Sequence, residues 1–502
     1  MTVIKKNDFI VSVANALQYI SHYHSEDFIL AMSRALEIER SQQAKDAILQ
    51  ILTNSKLAAY GNRPICQDTG IVTVFVKQGM DLKWDSDKTI EEMVNQGVRN
   101  AYLDEINPLR PSIVKNPISE RINTKDNSPA VVHINLVPGD SLDISIAAKG
   151  AGSENKAVLG MLNPSDSIVD FILDEIPKMG AGWCPPGVLG VGIGGTADKA
   201  MVMAKESLFE SIDIQELIKK GPSNKIESLR VELYEKINHL GIGAQGLGGL
   251  TTVLDVKIKD YPTHAASLPV AIIPNCAANR HVHFRMRGDG AVKLKPPNLE
   301  VWPKTEWSPK ETSTRVNLDT LQKKDLENFT LGQSLLLSGK ILTARDAAHK
   351  KLKELKDNNQ PLPDGLDLKN RFIYYVGPVD PVGNEVIGPA GPTTSSRMDK
   401  YSSLMLEDYG VIGMIGKAER GKAALESIKK NKVVYLIAIG GAAYLISQAI
   451  KSSKLIAFPE LGMEAIYEFE VKDMPVTLAA NTDGDSLHEE GVKKWNAVLM
   501  KN

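Results

Sequence analysis

Three cysteines, each in loop-like sequence, are the first residues of this chain that suggest chemistry. A structural cysteine usually behaves as a small apolar residue inside a strand or helix, whereas reactive or metal-binding thiols concentrate in loops. The three contexts therefore leave two interpretations open, a shared metal site or three unrelated thiols. Their long separations match no zinc-ribbon or ferredoxin pattern, so spacing does not decide between the two. The contexts are RPICQDTG around Cys66, GWCPPG around Cys184 and PNCAAN around Cys276.

A second candidate site is the loop GPAGPTTSSRMD at 388–399. Its Gly-Pro steps make it rigid, and the Thr-Thr-Ser-Ser run predicts an N-cap for a following helix. Hydroxyls, free N–H groups and Arg397 at the positive end of a helix suit an anionic ligand. A well-capped structural helix explains the same pattern, and Arg345 and Lys417 are by default exposed charges.

Three weaker signals remain. GVGIGG at 190–195 satisfies the GxGxxG pattern, but helix-like sequence continues where a dinucleotide fold needs its second strand and acid. We therefore predict that these glycines let a helix pack closely on a strand. His281 and His283 point to one side of a strand and lack a third zinc ligand in view, and His264 lies in the motif YPTHAAS.

The first domain, predicted over 1–290, has mixed α and β texture. Apolar residues at three- and four-residue spacing predict helices through 9–17 and 28–52, with Ser25 as an N-cap. The β-rich runs at 71–76, 131–137 and 142–148 are separated by helices predicted over 90–103 and 167–176.

A second domain is predicted over 326–502, after an exposed linker at 291–325 that is rich in proline and charged residues. Strand-like and helix-like runs alternate in this second domain, which predicts a helix-covered sheet with parallel pairs. The fold class is therefore mixed α/β, an N-terminal α+β domain followed by a C-terminal α/β domain. The apolar stretch 433–450 imitates a membrane span, but Gly440-Gly441 interrupts it, so we predict a buried strand, a glycine turn and a helix.

Charge and cysteine usage exclude several classes of protein. Lysine and arginine number 59 against 61 acidic residues, so the chain has no electrostatic reason to bind nucleic acid or an anionic membrane. Three cysteines are too few for a disulfide framework, and the opening MTVIKK lacks the pattern of a secretory signal. We expect a reducing, cytoplasmic compartment.

Taken together, these motifs resemble those of the class I, iron-sulfur fumarate hydratases. The resemblance implies an N-terminal cluster-binding domain, a C-terminal swivelling domain, an active site between them and a homodimer. The matching motifs run in order along nearly the whole chain: CQDTG at 66–70, AKGAGSENK at 148–156, GIGGTADKA at 192–200, YPTHAAS at 261–267, TARDAAHKK at 343–351, GPTTSSRMD at 391–399 and ELGMEAIYEFEV at 460–471.

In that family three cysteines hold a 4Fe-4S cluster and leave one iron without a protein ligand. The resemblance thus implies Cys66, Cys184 and Cys276 as the ligands, and the chain has no other cysteine. An iron with an open position can bind substrate oxygen as a Lewis acid. The cluster would therefore serve hydration rather than electron transfer.

The resemblance also implies reversible hydration of fumarate to (S)-malate and assigns roles to side chains. Asp68 and Thr393 are the implied acid/base pair, although a threonine hydroxyl needs an activating environment to act as a base. A helix N-terminus beside Arg397 and Lys417 would provide one. The residues implied to bind the dicarboxylate are Gln67, Arg110, His264, Arg345, Thr394, Arg397 and Lys417.

Four alternatives stay open. Tartrate dehydratase and mesaconate hydratase share the mechanism, and a single continuous chain favours fumarate hydratase because tartrate dehydratase is usually split into two subunits. A nucleotide-binding oxidoreductase built on 190–195 and a zinc-stabilised interaction protein without activity come from other classes.

Overall fold

A computed structural model of the protein describes residues 2–311 and 313–501. The elements of the first half, in chain order, are β1 Val3–Lys5, α1 Lys6–His22, α2 Glu26–Ile38, α3 Gln42–Gly61, β2 Ile71–Gly79, β3 Lys83–Asp85, α4 Ile90–Tyr102, β4 Val131–Val137, β5 Leu142–Lys149, α5 Ala151–Glu154, β6 Val158–Leu162, α6 Ile168–Met179, β7 Gly187–Gly194, α7 Ala197–Ser207, α8 Ile214–Lys220, α9 Lys225–His239, β8 Val253–Tyr261, β9 Leu268–Asn275 and β10 His281–Met286.

Two four-stranded sheets organise this half, in the strand orders β10-β5-β2-β4 and β6-β9-β7-β8. Apolar side chains of α1 and α4 cover the first sheet, and α6 and α9 contribute to the core under the second. The predicted strands at 71–76, 131–137 and 142–148 and the helices at 90–103 and 167–176 are confirmed within a few residues. These sheets carry the loops that hold all three cysteines.

The helix predicted over 28–52 is wrong as one piece, because α2 ends at Ile38 and α3 begins at Gln42. Glu39 lies in the break with extended backbone and is 3% exposed. Its carboxylate accepts the N–H groups of Arg40 and Ser41, each at 2.9 Å, and that of Leu250 at 3.0 Å. This long-range contact with Leu250 cannot be seen in the local apolar spacing. Ser25 is the N-cap residue of α2, as predicted, but its hydroxyl makes no capping bond.

The glycines of 190–195 lie in and just after β7, against which α7 packs. A methyl group at Gly190 would collide with the carbonyl oxygen of Ala204, and one at Gly192 with that of Ala200. These two contacts confirm that the glycines permit close packing of a helix on a strand. A nucleotide-binding loop is not needed to explain the motif.

The second half contains β11 Thr314–Asn317, β12 Ser334–Thr343, α10 Asp346–Asp357, β13 Phe372–Tyr374, β14 Gly413–Gly416, α11 Lys422–Asn431, β15 Val434–Ile437, α12 Ala443–Gln448, β16 Ile450–Ala457, β17 Ile466–Ala480 and α13 Leu487–Leu499. Strands β11 to β15 pair in parallel, as predicted. Strand β17 pairs antiparallel with both β15 and β12, so the sheet closes on itself. The mixed α/β fold class is confirmed.

The predicted linker at 291–325 needs one correction, because β11 lies inside it and pairs with β12. The remainder packs on the first half: Trp302 is 4% exposed and donates to the Ser55 hydroxyl at 3.0 Å, and Trp307 donates to Asp46 at 3.2 Å. We propose a first domain over 1–290 and a second domain that begins at β11, rather than at residue 326, and runs to 502.

The stretch 433–450 forms β15, a glycine turn and α12, as predicted. Its apolar side chains belong to the largest core, which extends from the closed sheet to α3. Within residues 2–311 and 313–501, no helix is both long enough and apolar enough to cross a membrane.

The fully buried His349 on α10 makes stability depend on pH. Burial lowers the pKa of His349 from 6.5 to about 4. As pH falls from 6.5 towards 4, the unfolded chain binds a proton that the folded chain does not, so the free energy of unfolding falls, by up to about 1.4 kcal/mol per pH unit. Burial also lowers the pKa of His22 and His24, so we expect His349→Phe to reduce this dependence, but not to abolish it, in denaturant titrations between about pH 7 and about pH 5.

His239 provides the matched control for His349. In both residues Nδ1 lies 2.7 Å from the carbonyl oxygen four residues earlier, but His239 is exposed on α9. His239→Phe should therefore keep the wild-type pH dependence. If the free energy of unfolding of His349→Phe changed with pH as steeply as that of the wild type, His349 would not contribute to the pH dependence.

Candidate active site

All three cysteines border one small cavity between the two halves of the chain. Cys66 follows α3, Cys184 follows α6 and Cys276 follows β9, so three separate loops deliver the thiols. All three are free thiols. The other residues around the cavity are Gln67, Asp68, Gly150, Gly152, Ser153, Trp183, Ala278, Arg280, Pro392, Lys417, Gly440 and Gly441.

The loop of Cys184 is held from several directions. Cys184 has a left-handed backbone with φ of 59°, and its carbonyl accepts the N–H of Ala277 at 3.1 Å, which joins it to the loop of Cys276. Gln245 donates its side-chain amide to the carbonyl of Pro185 at 3.0 Å and accepts the N–H of Gly440 at 2.9 Å. A methyl group at Gly440 would lie 2.5 Å from Cys184 Sγ. The second half of the chain therefore closes directly over this thiol.

Two cations accompany the thiols. Lys417 Nζ lies 2.8 Å from Cys184 Sγ, and Arg280 borders the same cavity. Burial raises the pKa of Cys66, while Arg280 and Lys417 oppose the rise. Burial would lower the pKa of Lys417, but Cys184 and Cys66 outweigh it and raise it. Lys417 is therefore a cation placed to stabilise thiolates.

The three thiols form a donor set of the kind that holds an iron-sulfur cofactor. Across residues 2–311 and 313–501, no three histidine, cysteine, aspartate or glutamate side chains converge as ligands of a single metal ion. The thiols instead border a shared space with compensating cations, and a cluster takes its thiolate ligands at separate iron atoms. The residues present fit a cluster better than a single ion.

Asp68 lies two residues from Cys66 and is held by backbone groups. Its carboxylate accepts the N–H of Ala151 at 2.9 Å and that of Gly70 at 3.2 Å. Burial would raise the pKa of Asp68, but Arg110, Arg280 and Lys417 outweigh it and lower it. Asp68 is therefore a carboxylate at neutral pH, placed beside the thiols and able to accept a proton.

Arg110 and Arg345 meet at Gly377. A methyl group there would touch Arg345 Nη1 and would lie 3.3 Å from Arg110 Nη1, which itself donates to the Gly377 carbonyl. Both arginines have a buried Nε without a partner, and Arg345 Nη2 lies 3.4 Å from a carboxylate oxygen of Glu464. Burial and Arg345 lower the pKa of Arg110 to about 10. Two crowded cations with unused donors suit an anionic ligand.

The predicted loop 388–399 reaches the site through Lys417. The N–H of Lys417 donates to the Thr393 carbonyl at 3.2 Å, and Thr394 pairs with Lys417 in an isolated parallel β-bridge just after β14. A methyl group at Gly152 would lie 3.2 Å from Lys417 Nζ and 3.8 Å from Thr394 Oγ1. The predicted hydroxyl cap is wrong. A short 3₁₀ helix over Ser395–Tyr401 follows the loop, and the side chain of its N-cap residue Thr394 makes no capping hydrogen bond. The pairing of Thr394 with Lys417 fixes the backbone here instead.

Three other predicted residues have different surroundings. Gln67 Oε1 lies 3.3 Å from Cys66 Sγ, and its amide donates to the Pro392 carbonyl at 3.2 Å. Arg397 is 38% exposed and pairs with Asp346 at 2.5 Å, outside the thiol cavity. His264 is exposed in the loop between β8 and β9, where its Nδ1 accepts the N–H of Ala266 at 3.1 Å. The structure thus brings Gln67 to the thiols and leaves Arg397 and His264 outside their cavity.

The two histidines of β10 have ordinary polar partners. His281 Nδ1 lies 2.8 Å from Asn279 Oδ1, and His283 Nδ1 lies 3.1 Å from the Ser145 hydroxyl. Sequence reasoning missed Arg280 and Gln245. Arg280 lies four residues after Cys276, so proximity could have found it, whereas nothing local marks Gln245.

The fold and the site define an α/β enzyme whose three thiols, acid and cations meet between two halves of one chain. A family model described as "Fumarate hydratase (Fumerase)" matches residues 10–285, and one described as "Fumarase C-terminus" matches 288–491. The chain belongs to the class I fumarate hydratase family, which confirms the predicted enzyme class, a hydro-lyase. Membership of this class implies an iron-sulfur cofactor.

Three relatives illustrate the likeness. "Fumarate hydratase class I, anaerobic" of Escherichia coli is 31% identical over 95% of this chain and 90% of its own length. "Fumarate hydratase 2" of Leishmania major is 32% identical over 95% of this chain and 85% of its own length. "Putative L(+)-tartrate dehydratase subunit alpha" of Methanocaldococcus jannaschii is 42% identical, over 53% of this chain and 93% of its own length.

Proposed function

We propose that this enzyme hydrates fumarate reversibly to (S)-malate with a 4Fe-4S cluster held by Cys66, Cys184 and Cys276. The observation that carries the proposal is the meeting of three free thiols in one cavity with Asp68 and Lys417. When bound through three thiolates, the cluster would supply a Lewis-acidic iron with an open position for oxygen. Thiols that must stay reduced also support a reducing, cytoplasmic compartment.

Asp68 is suited to move the proton of the water that is added or removed. Its lowered pKa keeps it ionised at neutral pH, so it can accept a proton and return it in the reverse direction. The N–H groups of Ala151 and Gly70 hold the carboxylate in place for this step.

The substrate dianion would be held by cations from both halves of the chain. Arg110 and Arg345 meet with unused donors, and preorganised arginines stabilise the extra charge that develops on a carboxylate when the adjacent C–H proton leaves. Lys417 lies on the thiol side of the site. Arg397 would join them by exchanging Asp346 for a substrate carboxylate. His264, which lies outside the cavity, would contribute a hydrogen bond to the substrate.

Thr393 and Thr394 both contact the backbone of Lys417, which borders the cavity. We propose Thr393 as the acid/base partner of Asp68: its backbone carbonyl accepts the N–H of Lys417, and the charge of Lys417 would favour an alkoxide. Gln67 and Thr394 would donate or accept hydrogen bonds at the substrate.

The proposal predicts a specific pattern of activity. After anaerobic reconstitution with iron and sulfide, we expect the hydration of fumarate to be faster than the hydration of mesaconate and faster than the dehydration of tartrate. Exposure to air should remove the activity, because an iron without a protein ligand is open to oxidants. Full activity in metal-free protein would overturn the proposal.

Tartrate dehydratase is the second candidate, supported by the 42% identity of this chain to a putative tartrate dehydratase alpha subunit over 276 residues. A hydroxyl or methyl group on the substrate changes discrimination by roughly 10- to 200-fold where a pocket contacts it. Faster turnover of tartrate than of fumarate in the same assay would select this candidate.

We further propose that the active form is a homodimer. The edge strand β4 exposes Val131, Ile134 and Leu136, and the edge strand β6 exposes Leu159 and Met161. Exposed apolar side chains on sheet edges suit a second copy of the same chain.

Light scattering on purified holoenzyme should therefore give twice the chain mass. Leu136→Lys should shift it towards the monomer, whereas Leu30→Lys, on the exposed face of α2, should leave the dimer intact. A monomeric wild-type enzyme would contradict this part of the proposal.

A further inference from the structure

Arg280 is a buried arginine whose Nε has no hydrogen-bond acceptor among the described residues, and the Asp68 carboxylate lies near its Nη2 at Gly150 without forming an ion pair with it. Arg280 lies between β9 and β10 and is 3% exposed. Its Nε is fully buried and donates to no acceptor, and in the described ranges its guanidinium forms no ion pair. Leaving a buried charged donor unsatisfied is strongly destabilising, so such a group requires an explanation.

Two other buried arginines of this chain are paired. Arg63 donates to Asn107 and Glu385, each at 2.9 Å. Arg420 pairs with Asp399 at 2.6 Å. Arg110 and Arg345, whose Nε atoms also lack partners, lie together at Gly377 where we place the substrate carboxylates. Unused arginine donors therefore mark the ligand-binding region.

The position of Arg280 distinguishes it from those two arginines. Arg280 borders the cavity together with Cys66 and Cys276, whereas Arg110 and Arg345 do not border it. The acceptor that Arg280 lacks therefore belongs on the thiol side of the site.

We propose that Arg280 is a positioning residue for the cofactor and that its Nε–H donates to a sulfur of the cluster bound by the three thiols. This inference rests on the proposed function. Thiolates, inorganic sulfides and Asp68 concentrate negative charge in a buried space, and a guanidinium offsets it. Hydrogen bonds and positive charge near the sulfurs stabilise the reduced cluster, so Arg280 raises its reduction potential.

The test uses anaerobically reconstituted enzyme and the variants Arg280→Gln and Arg280→Lys. A redox titration followed by electron paramagnetic resonance measures the potential, and iron and sulfide contents measure occupancy. We expect a more negative potential in Arg280→Gln, a smaller shift in Arg280→Lys and fumarate KM values within about twofold of wild type. Lower iron and sulfide content in Arg280→Gln, with unchanged circular dichroism, would also support the role. Arg230→Lys, which alters a half-buried, paired arginine away from the cavity, should leave the potential unchanged.

An unchanged potential and occupancy with a raised KM would overturn the inference and place Arg280 at the substrate. Misfolding of both Arg280 variants would overturn it too, by assigning a structural role. If only Arg280→Gln misfolds, the reduction potential of Arg280→Lys tests the inference: a more negative value supports it, and an unchanged value overturns it. Failure of the proposed function is distinguishable, because wild-type protein would then bind no iron and sulfide.

Discussion

Cys276→Ser is expected to lower the rate of fumarate hydration at least about 100-fold and to remove the cluster. Loss of a residue that only hydrogen-bonds to a metal ligand already lowers metal affinity or activity about 10- to 100-fold, and the loss of a ligand itself should do more. The chain has only three thiols, and all border the cavity, so no other cysteine can replace the lost ligand. A serine hydroxyl is a harder and less acidic ligand than a thiol, which makes it a poor substitute at iron. Iron and sulfide analysis, visible absorbance and turnover measure the effect.

Ala278→Ser is the matched control for Cys276→Ser. It introduces a hydroxyl at the border of the same cavity without removing a sulfur. We expect this variant to retain its iron and sulfide. Normal cluster content in Cys276→Ser would show that Cys276 is not a ligand.

Asp68→Asn is expected to lower kcat by roughly 10²- to 10⁴-fold while iron, sulfide and absorbance stay at wild-type levels. The amide keeps the size of the side chain but cannot accept the proton. Because the pKa of Asp68 is lowered, the wild-type group is a carboxylate across the neutral range, so raising the pH should not rescue the variant.

Asp87→Asn, which alters an exposed carboxylate paired with Lys6, should leave kcat unchanged. Loss of the cluster in Asp68→Asn would contradict a purely catalytic role. It would mean that Asp68 holds the loop of Cys66 through its bonds to Gly70 and Ala151.

Local sequence patterns predicted the elements that rest on short-range physics. The apolar spacing of 90–103 and the β-rich run of 71–76 match α4 and β2, because amphipathic periodicity is a property of neighbouring residues. The same reasoning failed at 28–52, where the Glu39 carboxylate bonds to Leu250 from a distant segment. It also failed at Thr394, where sheet contacts fix the backbone.

Sequence alone determined the residue types of the candidate site: three loop thiols, an adjacent aspartate and a set of cations in family-like motifs. Tertiary structure decided which of them meet. Cys66, Cys184 and Cys276 share a cavity because three distant loops converge, Arg110 and Arg345 meet at Gly377, and Arg397 and His264 stay outside. The role of Arg280 became visible only in three dimensions, because the lack of an acceptor for its buried Nε among the described residues depends on its spatial surroundings and not on its neighbours in sequence.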